Sequence, residues 1–242
     1  NAAFKPEFSL QEDIGFVYSS QFVVVNLSIF NNSIQHYIFN QKLVTSNGAD
    51  SVIVAGNETF KFQQSKARLY GGEMNVDFHP FKLLHFENSF SMVYGVNKGG
   101  NGIKINDNSK YLPFIPPFHS VSELRYDFAT KQHHFINGYV KAQMVYYAAQ
   151  NRVYSADNTE TPTAGYTLFN FGVGSGVAKN GKTIFTISVM ANNLFDVAYQ
   201  DHLNRLKYFE PYPDDPRPYH GIYNMGRNIA FKLLFPLDFK SK

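Results

Sequence analysis

The residues best suited to binding a metal ion or a polar ligand gather in one segment near the end of the sequence. These histidine, aspartate, arginine and tyrosine residues are Asp201, His202, Arg205, Tyr208, Tyr212, Asp214, Asp215 and His220. Imidazole and carboxylate groups together favour a transition metal or heme iron. Tyrosines beside prolines offer a stiff surface for an aromatic chelate or a sugar. The spacing is irregular and also fits an ordinary solvated loop, so the segment predicts ligand binding without naming the metal.

The sequence shows no arrangement typical of an active site. It has no cysteine, no Gly-x-Ser-x-Gly elbow and no His-Glu-x-x-His pair. Gly172, Gly174 and Gly176 alternate with other residues and precede no Lys-Ser or Lys-Thr, so a phosphate-binding loop is not indicated. The net charge of +3 is spread without a basic run, which predicts no nucleic-acid surface. We therefore expect no enzyme activity, no cofactor and no nucleic-acid partner.

Charged side chains also stand inside segments that alternate polar and apolar residues. Glu123 and Arg125, for example, are separated by Leu124. The candidate water-facing charged positions are Glu73, Glu123, Arg125 and Lys141. Such residues are costly on a lipid-facing surface. They predict a wet interior lined by charge, and the solvated face of a soluble sheet is the alternative.

The elements that would position all these residues are strands, because the dominant hydrophobic period is two. Nine strands are predicted near residues 7–18, 21–34, 60–79, 81–96, 117–129, 134–149, 164–177, 182–192 and 225–239. Several exceed the usual globular length of about 5–6 residues. A transmembrane strand needs about 9–11 residues. The lengths therefore favour an all-β, antiparallel up-and-down membrane barrel.

The predicted connections alternate strictly between short and long. Short connections fall at residues 19–20, 79–80, 130–133 and 178–181, and long ones at 35–59, 97–116, 150–163 and 193–224. His79 and His85 flank the second short connection. A meander with this alternation has tight turns at one end and large loops at the other, as outer-membrane barrels do. The 24 Phe and 16 Tyr, with no Trp, cluster towards the strand ends, where aromatic girdles are expected.

Five short motifs resemble the TonB-dependent receptors in their family order. They are Phe4–Glu7, Ala67–Glu73, Tyr111–Pro117 with Leu124–Phe128, Asn193-Leu194-Phe195-Asp196 with Tyr199, and Gly226-Arg227 before the last strand. In physical terms the last two contain turn formers and a glycine where strands leave and enter the sheet. Asn193, Leu194, Phe195, Asp196, Gly226 and Arg227 are therefore predicted to build the barrel.

The resemblance implies a larger protein and a transport function. Family barrels have about 22 strands around a plug, so residues 1–242 would be the C-terminal part of the barrel, with the plug domain and N-terminal strands absent. The implied function is energy-coupled uptake of a scarce nutrient, most of all a metal chelate, siderophore or heme. The implied partners are the TonB energy-coupling complex, reached through the absent plug segment, outer-membrane lipid and the ligand. The implied location is the outer membrane of a Gram-negative bacterium. The sequence departs from the family where Lys240–Lys242 follow the last aromatic residue.

Two other functions stay open from the residues alone. A passive porin-like channel would use the charged strand positions as a constriction and need no plug. A soluble β-sandwich carbohydrate-binding module would place its long tyrosine-containing loops around a sugar and would dissolve without detergent.

Overall fold

The computed structural model of the protein describes residues 4–43, 45, 51, 53–54, 59–100, 102–128, 134–157, 160–179, 182–208 and 221–236. The strands in these residues are β1 (Phe8–Ser19), β2 (Val23–Lys42), β3 (Phe60–Phe81), β4 (Leu84–Gly99), β5 (His119–Phe128), β6 (Phe135–Tyr147), β7 (Tyr166–Lys179), β8 (Lys182–Asn192) and β9 (Asn228–Leu234). One 3-10 helix, Arg205–Tyr208, lies between β8 and β9. Each strand pairs antiparallel with the next, in the order β1-β2-β3-β4-β5-β6-β7-β8-β9.

The predicted up-and-down arrangement of nine strands is confirmed, with one notable difference in length. Strand β2 continues to Lys42, whereas the alternation predicted its end at residue 34. A shift of register between Ile34 and Tyr37 marks a β-bulge, and His36 within it has a φ of 57°. A bulge inserts an extra residue and reverses the side-chain alternation beyond it. The polar–apolar alternation of the sequence therefore ends at residue 34, although the strand continues with the two faces exchanged.

The register lines up acidic and amide residues on one face of the sheet and apolar residues on the other. Glu87, Glu123 and Gln143 stand in line across β4, β5 and β6. The neighbouring line, one position along each strand, is Phe86, Leu124 and Ala142. We call the face with Glu123 the polar face and the face with Leu124 the apolar face. The single sheet, with no second layer among the described residues, differs from the β-sandwich that was one alternative.

The apolar face is covered by no other part of the described chain. Ile14 is 74% exposed and Phe231 75% exposed. Other exposed residues of this face are Phe16, Ile29, Phe78, Phe86, Leu124, Tyr126, Phe171, Val173 and Ile187. An apolar surface of this extent is rare on a soluble monomer. The face is therefore suited to contact with hydrocarbon. Among the described residues, no helix has the length and hydropathy of a membrane span.

Most of the buried residues lie at the end of the sheet that carries the long connections. The buried apolar residues there include Phe39, Leu112, Val153, Tyr154 and Leu168. Main-chain bonds join these connections directly: the N–H of Ser155 donates to the carbonyl oxygen of Asn108 over 2.9 Å. The long connections therefore pack on one another, and the described part of the segment marked for ligand binding, residues 201–208, belongs to the last of them.

Candidate functional site

Charged and amide side chains form a chain of contacts across three strands of the polar face. Lys141 Nζ on β6 donates to Glu123 Oε2 on β5 over 2.9 Å. Gln143 Nε2 donates to the same oxygen over 3.1 Å, and its own Oε1 accepts from Asn170 Nδ2 on β7 over 2.8 Å. Because these bonds join side chains of neighbouring strands, they fix the polar groups in place without help from loops.

The other two predicted charged positions lie on the same face. Arg125 donates from Nη2 to Asp127 Oδ1 over 2.8 Å, and its guanidinium lies 4.3 Å from the ring centroid of Tyr139. Glu73 is exposed on β3, opposite Ser28 and Ser91 in the register. The four charges thus share one face, as the alternation predicted.

A recess of about 220 Å³ opens on the polar face between β2 and β6. Its polar lining residues are Asn26, Asn75, Asp77, Glu87, Asn88, Ser89, Glu123 and Gln143. Three of these are acidic, and none of the described residues lining the recess is basic. Carboxylates that share a recess attract cations and groups that donate hydrogen bonds.

One of the loop residues marked by the sequence, His202, contacts the buried carboxylate of Glu160. His202 is 3% exposed and Glu160 2% exposed, and His202 Nε2 lies 2.7 Å from Glu160 Oε1. The main-chain N–H of Tyr154 donates to Oε2 over 2.9 Å, and that of Phe114 donates to Oε1 over 3.2 Å. One carboxylate therefore joins the connections 100–118, 148–165 and 193–227.

The other ring nitrogen of His202 is also occupied. Lys207 Nζ lies 2.5 Å from Thr163 Oγ1 and 3.3 Å from His202 Nδ1, and Thr163 Oγ1 lies 2.9 Å from the same Nδ1. An ammonium group can only donate, so Nδ1 accepts and the ring proton sits on Nε2, facing Glu160. Both nitrogen atoms of His202 thus serve to hold the loops in this conformation.

Asp201, Arg205 and Tyr208 contact the same loop assembly. Asp201 Oδ2 accepts from the hydroxyl of Tyr166 over 2.9 Å. The hydroxyl of Tyr208 accepts from the N–H of Thr161 over 3.0 Å, and the Arg205 guanidinium lies 4.5 Å from the ring centroid of Phe114. Arg205 and Tyr208 therefore tie the 3-10 helix to the two preceding long connections, and Asp201 ties the segment before the helix to β7.

Burial changes the titration of two loop tyrosines. The pKa of Tyr199 is raised by burial and by the nearby charge of Asp201. The pKa of Tyr154 is raised by burial and by Asp157, and its hydroxyl is buried without a hydrogen-bond partner. Both phenols therefore stay neutral well into the alkaline range and act as apolar packing groups.

The structure brings together half of the predicted ligand-binding residues. Asp201, His202, Arg205 and Tyr208 lie in or just before the 3-10 helix, whereas Tyr212, Asp214, Asp215 and His220 lie outside the described residues. The sequence did not identify Glu160, the centre of the assembly. A lone glutamate in a long connection gives no pattern by which its partners could be found.

Two residues predicted to build the barrel, Asn193 and Asp196, shape the chain where it leaves β8 and where β9 begins. Asn193 and Asp196 have φ values of 48° and 56°. The side chain of Asn193 bonds both the N–H and the carbonyl oxygen of Val197 over 2.9 Å, and Asp196 Oδ1 accepts from the N–H of Arg227 over 2.7 Å. A Cβ at Gly226 would lie 2.7 Å from Asp196 Oδ1. Glycine therefore lets β9 begin against the end of β8.

Three further residues predicted to build the barrel, Leu194, Phe195 and Arg227, add contacts beside this turn. The ring of Phe195 packs edge-on to Phe169, with 5.5 Å between centroids. Arg227 Nη1 reaches the carbonyl oxygen of Leu194 over 3.5 Å. The first contact holds the turn against β7, and the second holds it against the start of β9.

One known protein family matches most of this sequence. A family model described as "TonB dependent receptor-like, beta-barrel" matches residues 1–194. A comparison with curated proteins found no match.

Several solved structures match nearly the whole chain. "Copper transporter OprC" has a TM-score of 0.73 at 20% identity, covering 96% of this chain and 32% of that one. The FrpB iron transporter from Neisseria meningitidis (F3-3 variant) has a TM-score of 0.66 at 14% identity, covering 97% and 31%. The ferric yersiniabactin uptake receptor FyuA from Yersinia pestis has a TM-score of 0.60 at 15% identity, covering 95% and 30%. At these identities the likeness shows the fold alone, and the chain spans about a third of the length of these proteins.

Proposed function

The chain belongs to the family of TonB-dependent receptor β-barrels, and we propose that it is the C-terminal part of the barrel of an outer-membrane receptor. This receptor imports a scarce nutrient with energy supplied through the TonB complex. The plug domain and the remaining strands belong to the rest of the protein, and the TonB complex acts through the plug. The receptor is a transporter rather than an enzyme, and it resides in the outer membrane of a Gram-negative bacterium.

The observation that carries the proposal is the two-faced sheet. Nine antiparallel strands present a largely apolar face on one side and carboxylate, amide and ammonium groups on the other. Lipid outside and a wet lumen inside require this division. A wall with fixed polar groups suits the passage of a hydrophilic ligand past a plug.

The ligand class that fits best is a metal chelate, a siderophore or heme. The named activities of the similar structures support this class, since they transport copper, iron and ferric yersiniabactin. The loop assembly adds chemical support, because arginine and tyrosine at its surface suit an anionic or aromatic chelate. Within the segment 201–220, Arg205 and Tyr208 lie on the short 3-10 helix, and Tyr212, Asp214, Asp215 and His220 complete the proposed ligand-binding surface.

His202 and Asp201 contribute to this surface in a different way. Since both ring nitrogens of His202 bond to a neighbouring long connection and one oxygen of Asp201 bonds to Tyr166 on β7, we assign both residues to positioning the segment. Direct binding by His202 would require Glu160 and Thr163 to release it.

A growth experiment with the full-length gene deleted tests the proposed ligand class. Cells are supplied in turn with limiting iron, a ferric siderophore, heme, zinc, copper, cobalamin or glycan. We expect a defect on an iron, heme or other metal source that the full-length gene restores. A defect confined to glycan or cobalamin would overturn the ligand class. Normal growth on every source, with altered passage of small hydrophilic solutes, would favour a passive channel.

Paired variants connect the loop to that function. A variant with Tyr212→Ala, Asp214→Asn, Asp215→Asn and His220→Ala should fail to restore growth. The matched control, Lys104→Ala with Asp107→Asn, changes exposed residues of another long connection and should restore it. Equal growth with both variants would remove the segment 201–220 from the ligand site.

A further inference from the structure

Two imidazoles and a carboxylate converge on the polar face at the end that carries the short turns. Asp77 and His79 lie on β3, and His85 lies on β4 just past the tight turn between these strands. The two imidazole rings are 5.8 Å apart between centroids and inclined by 30°. This cluster is remote in the chain from the ligand segment 201–220.

The three groups lie close to the spacing that a single metal ion requires. Asp77 Oδ2 lies 3.2 Å from His79 Nδ1, and Asp77 Oδ1 lies 3.7 Å from His85 Nδ1. One ligand atom from each residue lies within 4.8 Å of the other two. With bonds of about 2.0–2.1 Å, neighbouring ligands of a tetrahedral ion are about 3.3 Å apart. Small side-chain rotations are therefore enough to close the site around an ion.

Two atoms of the cluster are buried and form no hydrogen bond of acceptable geometry, although the contacts of 3.2 Å and 3.7 Å reach them. They are Asp77 Oδ1 and His79 Nδ1. Buried polar atoms nearly always have a partner in folded proteins, and exceptions need an explanation. A cation between the carboxylate and the imidazoles would satisfy both atoms at once.

The surrounding charges favour a cation. Glu87 faces Asp77 directly in the register of β3 and β4 and lines the same acidic recess. The guanidinium of Arg125, opposite His85 in the register, is held by Asp127 at 2.8 Å and lies over the ring of Tyr139. Glu123 of the recess is paired with Lys141 at 2.9 Å, so Asp77 and Glu87 are the carboxylates of the recess that can attract a positive ion.

We propose that Asp77, His79 and His85 bind a divalent transition-metal ion that favours imidazole, such as zinc, copper(II) or nickel. Two nitrogen ligands disfavour magnesium and calcium, which prefer oxygen. The fourth position is open to Glu87 or water. The bound ion would fasten the hairpin of β3 and β4 at the short-turn end. This site is separate from the proposed nutrient-binding loops, and its occupancy is measured on the protein itself, so failure of either proposal leaves the other standing.

Metal titration of the purified full-length receptor in detergent tests this site. After treatment with chelator, zinc is titrated into the wild type, His79→Gln, His85→Gln and the control His134→Gln, which changes an exposed histidine beside a different short turn. Loss of an outer-shell partner typically weakens metal binding 10- to 100-fold. Loss of a direct ligand should therefore weaken one zinc site at least about 100-fold, with His134→Gln unchanged. Identical titrations of all four proteins would overturn the assignment, as would an equal loss in the control.

A substitution that keeps a metal-binding atom distinguishes the loss of a ligand from unfolding of the protein. The variant His85→Cys retains three donor atoms and replaces a nitrogen with a thiolate. With cobalt(II) as the probe, we expect a new thiolate-to-cobalt charge-transfer band that is absent from the wild type and from His134→Cys. Absence of that band in a folded His85→Cys protein would contradict the proposal.

Discussion

An arginine on the apolar face of β5 would show whether that face lies against lipid. Leu124 is 49% exposed on this face, and Val121, on the same strand, lines the recess of the polar face. The substitutions Leu124→Arg and Val121→Arg therefore place the same charge on opposite sides of one strand.

The size of the effect follows from the depth of Leu124. It lies four residues before Phe128, the end of β5 at the short turns. At about 3.3 Å per residue and a tilt of about 45°, this is roughly 9 Å from that edge of an apolar band about 25 Å tall. An arginine near the middle of the band costs about 2–4 kcal/mol. The folding equilibrium constant should fall about 30- to 700-fold, since each 1.4 kcal/mol is a factor of ten.

Urea unfolding of the full-length receptor, refolded into lipid vesicles, measures this difference. Val121→Arg should lower the free energy of unfolding by less than about 1 kcal/mol, because water in the lumen solvates the new charge. If Leu124→Arg were as mild as Val121→Arg, the apolar face would not face hydrocarbon. If Val121→Arg were the more harmful, the two faces would be reversed.

Three further changes probe the sheet and its loops. Gly71→Val should destabilise the receptor by about 1–3 kcal/mol, because a Cβ there would lie 2.1 Å from the carbonyl oxygen of Met92, whereas Gly15→Ala, with 3.9 Å of space, should be tolerated in the same urea assay. Glu160→Ala removes the acceptor for His202 and should speed proteolysis and hydrogen exchange of residues 193–208 while leaving the strands protected. Burial raises the pKa of Tyr154, so its stabilising effect is complete below the unfolded value of about pH 10 and is lost as pH rises further; Tyr154→Phe should reduce the fall in thermal unfolding temperature between pH 8 and pH 11.

The strands were predictable because each obeys a simple local rule. Alternation of polar and apolar residues located all nine, and the two faces followed from the same alternation. Prediction failed beyond Ile34, where the bulge at His36 reverses the phase of β2. The bulge depends on how β2 pairs with β3, so the sequence of β2 alone does not predict it.

The loop assembly was less predictable because its bonds join distant parts of the chain. The contact between His202 and Glu160 spans 42 positions, and that between Phe114 and Glu160 spans 46. No periodic pattern relates such residues. The same holds for the ion site, where His79 and His85 were visible beside a turn but the role of Asp77 emerged only from its position between them.

The measurement that tests the central claim most directly is uptake with and without the energy-coupling protein. Cells carrying the full-length receptor are given the radiolabelled nutrient identified by the growth experiment, and surface binding is separated from accumulation in the cell. We predict that loss of the coupling protein leaves binding intact and abolishes accumulation above the level of receptor-deleted cells. Equal accumulation in cells with and without the coupling protein would contradict energy-coupled import.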